Sequence, residues 1–121
     1  MEQEENVFFI DVLNILPETA ECLIQAPSIE NTIIKEMLKK THCVYFEKLT
    51  LNKYIKEKII NEERINSFGA YIQKMEIRKG GIKLFVLYDG CEYGIVSKLF
   101  KIPEWFKSKY IPETCMVSDE W

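Results

Sequence analysis

The chain predicts an α+β domain built on an antiparallel meander, and three features of the sequence lead there. Gly80-Gly81 and Asp89-Gly90 are two-residue hairpin signals set between apolar runs. Two other segments, 28–40 and about 51–65, carry apolar residues at helical spacing. The length of 121 residues, 47% of them hydrophobic, suits one domain spanning 1–121 with its own core. Residues 1–6 and 113–121 read as frayed acidic tails.

Taken in order, Val7 to Leu16 is mostly apolar, broken by Asp11 and Asn14. It fits either a buried strand near 7–13 or the start of a helix, because periodicity does not separate the two in so short a run. Pro17 and Glu18 suit a helix start, Ala20, Leu23 and Ile24 share a helical face, and Pro27 stops it. A short helix over 17–25 is therefore expected. Ser28 is a good N-cap for the next helix, whose stripe is Ile29, Ile33, Ile34, Met37 and Leu38, with Lys39 and Lys40 at its negative end. The β-branched and aromatic run near 44–49 reads as a strand. Thr50 or Asn52 can cap a helix running to about Ile65, with Leu51, Tyr54, Ile55 and Ile59 inward. Glu62-Glu63 beside Arg64 reads as an ordinary solvated helix face.

The meander occupies about 70–99. A two-residue loop at each hairpin sets Lys79 opposite Ile82, so that Ile77 faces Leu84 and Met75 faces Val86. Across the second turn Tyr88 faces Cys91, Val86 faces Tyr93 and Leu84 faces Ile95. Tyr93 then points to the core. Phe85, Leu87 and Val96 share the opposite face, which the N-terminal segment covers or a partner uses. Pro103 and Glu104 open a last helix, with Trp105, Phe106 and Tyr110 apolar and Pro112 as its stop.

Charge is unevenly spread. The chain carries 16 Lys and Arg, 19 Asp and Glu and a net charge of −3. Residues 1–34 hold seven acids and no base, while 35–80 hold eleven bases and six acids. Such asymmetry gives a directional field that steers partners. The acidic start and the lack of any apolar run near ~18 residues predict a cytoplasmic protein with neither leader nor membrane span.

Chemistry-bearing motifs are sparse. Cys22, Cys43, Cys91 and Cys115 have no zinc-site spacing, and His42 is the only histidine. Reduced, buried cysteines are expected. No phosphate loop is present, since the Gly pairs lack a following helix and Lys-Ser/Thr. The cluster Tyr88-Asp89-Gly90-Cys91-Glu92-Tyr93-Gly94 is chemically mixed and can line a small pocket, although a turn explains it. The lysines between 35 and 58 have aromatic neighbours, but an acidic chain with two arginines argues against a nucleic-acid partner.

These observations lead to a non-catalytic protein-binding module without cofactor or metal. Small acidic domains of this kind include inhibitors, immunity proteins and antitoxins that occlude the active site of a basic partner such as a nuclease toxin. The likeness is one of size and charge. Asp11, Glu18, Glu21 and Glu30, with Tyr88 and Trp105 as aromatic anchors, are the expected contact residues. A small enzyme using Asp, Glu, Tyr or Cys chemistry is the alternative, as is weak nucleic-acid binding through the 35–58 lysines.

Overall fold

The computed structural model describes residues 5–42 and 45–121. The protein is α+β, with four α-helices and a seven-stranded sheet among these residues. Its first element is set by Asn6, whose side chain accepts from the Phe9 amide and so caps α1 (Val7–Ile15). The apolar run at 7–13 is therefore a helix and not a strand. Phe8, Phe9, Ile10, Val12 and Leu13 are all buried, so the helix is apolar on most of its circumference, as a helix inside a core should be.

The helix expected over 17–25 is instead a turn followed by β1 (Glu21–Gln25). Thr19 has φ 66°, which breaks any helix there. Cys22 and Ile24 alternate inward, and both edges of β1 are taken by neighbouring strands. The next helix, α2 (Thr32–Met37), is shorter than 28–40 because Asn31, not Ser28, supplies the cap. Ile33 is consequently exposed, and Lys39–Lys40 form β2 against β3 (Glu47–Thr50). Cys43 and Val44, at the start of the expected 44–49 strand, lie outside the described residues. Asn52 caps α3 (Lys53–Ile65), which buries Ile59 and Ile60 but leaves Tyr54 exposed.

The meander is formed by β4 (Lys74–Lys79), β5 (Ile82–Tyr88) and β6 (Tyr93–Val96). Lys79 does sit opposite Ile82 across a two-residue turn. Beyond Arg78–Lys83 the register shifts by one, and Ile77 pairs with Phe85, Glu76 with Val86 and Met75 with Leu87. A β-bulge of this kind places one extra residue, here Leu84, on one strand, and every later side chain changes face. The second connection has four residues, not two, so Tyr88 faces Tyr93, Leu87 faces Gly94 and Val86 faces Ile95. The expected pairings Ile77–Leu84, Met75–Val86, Tyr88–Cys91, Val86–Tyr93 and Leu84–Ile95 are thus all displaced. Phe85, Leu87 and Val96 lie in the core, and Tyr93 points outward at 44% exposure.

Of the two expected tails, residues 1–4 lie outside the described residues and 113–121 include a strand. After α4 (Glu104–Tyr110), β7 (Cys115–Val117) pairs in parallel with β6, and Lys83 lies 4.9 Å from the Trp121 ring centroid. The strand order is β2-β3-β1-β4-β5-β6-β7. All four helices contribute to the core on the sheet face bearing Ile24, Leu49, Met75 and Phe85. The other face carries successive cross-strand rows, one of them Gln25–Lys74–Tyr88–Tyr93 and the next Leu23–Glu76–Val86–Ile95–Met116. No helix among the described residues is long and apolar enough to cross a membrane.

Candidate functional site

The β5–β6 connection holds three consecutive residues in the left-handed region. Asp89, Gly90 and Cys91 all have positive φ (49°, 73° and 59°), two of them without the freedom of glycine. The turn is held by the Asp89 amide donating to Gln73 and the Gly90 amide to Ile72. Glycine is favoured at 90, where φ is positive and a Cβ would press on the Ala70 carbonyl oxygen at 3.0 Å. Cys91 is fully buried, its side chain turned into the core within the four-residue loop. Local strain of this sort persists only where surrounding contacts over-determine it.

Those contacts come from Asn6 and Glu63. The Asn6 side-chain amide donates to the Gly90 and Cys91 carbonyls at 3.2 and 3.0 Å. Its backbone amide donates to Glu63 at 2.9 Å. Glu63 is not the solvated helix residue its neighbours suggest, for it is fully buried. Its carboxylate also accepts from the Ser67 hydroxyl and from the Phe68 and Gly69 amides, at 3.1 and 2.8 Å for the two amides. One carboxylate therefore ties the exit of α3, the cap of α1 and, through Asn6, the strained turn.

These three segments enclose an open groove of about 600 Å³ lined by residues including Glu5, Ser67, Ala70, Gly90 and Glu92. Glu5 and Glu92 are exposed carboxylates on its wall, and Asp89 is exposed on the same turn. Glu5 reaches Arg64 at 3.6 Å, a solvent-exposed pair of small energetic weight. Beside the turn Tyr88 and Tyr93 stack with centroids 5.4 Å apart and an interplanar angle of 21°. Lys74 lies over Tyr88 on its other flank, 5.9 Å from the centroid. Partial desolvation, then the Asp89 charge and hydrogen bond, raise the Tyr93 phenol above the ordinary tyrosine range. The corner thus carries two stacked rings with Asp89 beside them and Glu92 next in the chain, while Glu5 faces Glu92 across the groove.

The four expected acids do not form one surface. Asp11, on α1, pairs with Lys109 at 2.9 Å and accepts from the Tyr110 hydroxyl, which ties α1 to α4 in the helical layer. Glu21 lies on the open sheet face and reaches Lys48 at 3.6 Å. Alternation along β1 sets it opposite buried Cys22, so the sheet separates Glu21 from Asp11. Glu18 is in the turn before β1, and Glu30 is exposed just before the cap of α2. Of the two aromatic candidates, Tyr88 belongs to the corner, while Trp105 is 48% exposed on α4 and packs edge-on to Phe106. Asp89, Glu92 and Tyr93 belong to the mixed cluster read from the sequence, with Tyr93 set aside there by the expected register, whereas Asn6 and Glu63 were not singled out.

Cys22, Cys91 and Cys115 are free and buried. Burial pushes the Cys22 and Cys115 thiols up to about 12 and also raises the Cys91 thiol, where the Glu63 charge adds to it. Among the described residues no group of three His, Cys, Asp or Glu side chains is placed to hold a metal ion. No protein-family model, curated protein or solved structure matches the chain.

Proposed function

We propose that the chain is a non-catalytic protein-binding module of the inhibitor, immunity or antitoxin kind, acting in the cytoplasm on a basic protein such as a nuclease toxin. The observation that carries this reading is the stacked Tyr88–Tyr93 pair with the Asp89 carboxylate hydrogen-bonded to Tyr93, on a turn that also carries exposed Glu92. Tyrosine supplies large contact area with few rotatable bonds, and such anchors dominate interface energies when rigidly held. An arginine of the partner stacks on the exposed Tyr93 ring while its guanidinium meets Glu92 or Asp89. Carboxylates around the rings speed encounter with a basic surface, and the turn's rigidity lowers the ordering cost of binding. In this arrangement the protein blocks a catalytic cleft by inserting the corner into it, and the four dispersed acids contribute only to the long-range field.

The test compares immobilised wild type with a variant carrying Tyr88→Ala, Tyr93→Ala, Asp89→Asn and Glu92→Gln. Each is exposed to lysate of cells that express the protein, and bound proteins are quantified by mass spectrometry. The reading expects a basic protein that elutes with salt and is depleted about tenfold or more on the variant. An acidic partner, or one retained equally by both baits, contradicts it.

A further inference from the structure

At the other end of β5 from the tyrosine pair lies a second groove, of about 520 Å³, whose walls are apolar. Ile82 and Leu84 come from the β4–β5 hairpin, Leu99 and Phe100 from the loop after β6, and Ile15 and Pro17 from the end of α1. Ile82 is 58% exposed and Leu99 74%, so two large apolar side chains from separate segments converge in water. Clustered apolar exposure rimmed by polar groups marks an interaction site, where scattered single residues would not.

One backbone departure lies in the wall of this groove and a second lies in the turn behind Pro17. The β-bulge in β5 leaves Leu84 as the extra residue on its strand, half-buried in the groove wall, with its carbonyl accepting from Ser97 at 2.8 Å. In the turn after Pro17, Thr19 holds φ 66° with its amide donating to Leu51 at 2.8 Å. Lys79 donates to the Glu18 carbonyl and the Thr19 hydroxyl, both neutral acceptors. Lys101 is exposed on the rim. Among the described residues neither lysine is in an ion pair, and no carboxylate lines the groove.

We infer that this groove docks an acidic amphipathic segment of a partner protein, with apolar side chains entering between Ile82 and Leu99 and carboxylates meeting Lys79 and Lys101. The charge of the rim selects the occupant. An apolar floor alone accepts any greasy segment, but two unneutralised cations favour one with acids on its flanks and disfavour a basic one. The demand is opposite in sign to that of the tyrosine corner, so this site stands or falls independently of it. The two sites at the two ends of β5 can thus engage different partner surfaces.

The experiment uses the full chain and three probes: a ten-residue peptide alternating Leu or Phe with Glu, the same peptide with Lys for Glu, and dodecanoate. Binding is followed by amide chemical shifts and calorimetry. The acidic peptide should shift the signals of residues 82–84 and 99–101. Ile82→Asp with Leu99→Asp should weaken it about tenfold or more, as expected for lost apolar burial. Lys79→Gln with Lys101→Gln should weaken it about fivefold and remove most of its salt dependence, with the near-ultraviolet dichroism unchanged. Equal binding of the Lys peptide, binding of dodecanoate alone, shifts confined to other regions, or a dimer of this chain lost on Ile82→Asp each overturns the proposal.

Discussion

Replacing Glu63 probes the hub that holds the tyrosine corner in place. Its two carboxylate oxygens take four donors, three of them backbone amides, from Asn6, Phe68 and Gly69. Glu63→Ala strands all three amides, and a buried unpaired donor costs about 1–3 kcal/mol. Partial entry of water limits the total to roughly 3–5 kcal/mol, the loss typical when one member of a buried polar set is removed. Glu63→Gln is the sharper probe. Its amide oxygen can keep Phe68 and Gly69 and the Ser67 hydroxyl can rotate to accept, but its NH₂ faces the Asn6 amide donor to donor. One stranded donor predicts about 1–3 kcal/mol. Urea unfolding followed by far-ultraviolet dichroism gives both numbers, and the melting temperature should fall by roughly 3–5 °C per kcal/mol. A Gln variant within about 0.5 kcal/mol of wild type, with an Ala variant losing less than about 1, would refute the reasoning.

The observed register is tested by paired substitutions: Phe85→Ala and Leu87→Ala should cost about 3–5 and 2–5 kcal/mol in urea unfolding, and Ile95→Thr well under either. The reverse order would restore the unshifted hairpin. Burial first, then the hydrogen bond to Asp11, push the Tyr110 phenol up to about 12. The folded state therefore favours the protonated phenol. Its contribution is fully present below the unfolded tyrosine value of about 10 and is lost as pH rises toward 12. Wild type should lose stability between pH 10 and 12 more steeply than Tyr110→Phe, and equal slopes would contradict the Asp11–Tyr110 link. Thiol labelling with peptide mapping at pH 8 should modify Cys22, Cys91 and Cys115 only after unfolding, since burial keeps all three protonated and covered. Labelling of any of the three in native protein at the rate of a free thiol would refute that.

What the sequence made legible was local. The Gly80-Gly81 turn, the Asn52-capped helix and the Pro103 helix start each rest on a few adjacent residues, and each is present. The failures are non-local. Pro17 and Glu18 argue for a helix, yet β1 is a strand because β3 and β4 take both its edges. The bulge at Leu84 has no turn signal; it sets Phe85 against Phe106, with centroids 6.0 Å apart, a contact the hairpin alone does not contain. Asn6 was a readable cap that the apolar run behind it obscured. Tyr88 and the mixed cluster after it could be singled out from the sequence, but not the groove, whose walls join residues 5–7, 67–70 and 90–92. Counting acids along a base-free stretch likewise treats as one surface what folding places on both sides of a sheet.

The central claim is that the acids of the β5–β6 turn and of the groove beside it, and not Asp11, Glu18, Glu21 and Glu30, meet the partner. The most direct measurement is the association rate with the captured basic protein at low and at physiological salt. The account predicts that Glu5→Gln, Asp89→Asn and Glu92→Gln together slow association about tenfold at low salt, while Asp11→Asn, Glu18→Gln, Glu21→Gln and Glu30→Gln together change it by less than about threefold. Slower association in the second variant with an unaltered rate in the first would contradict it.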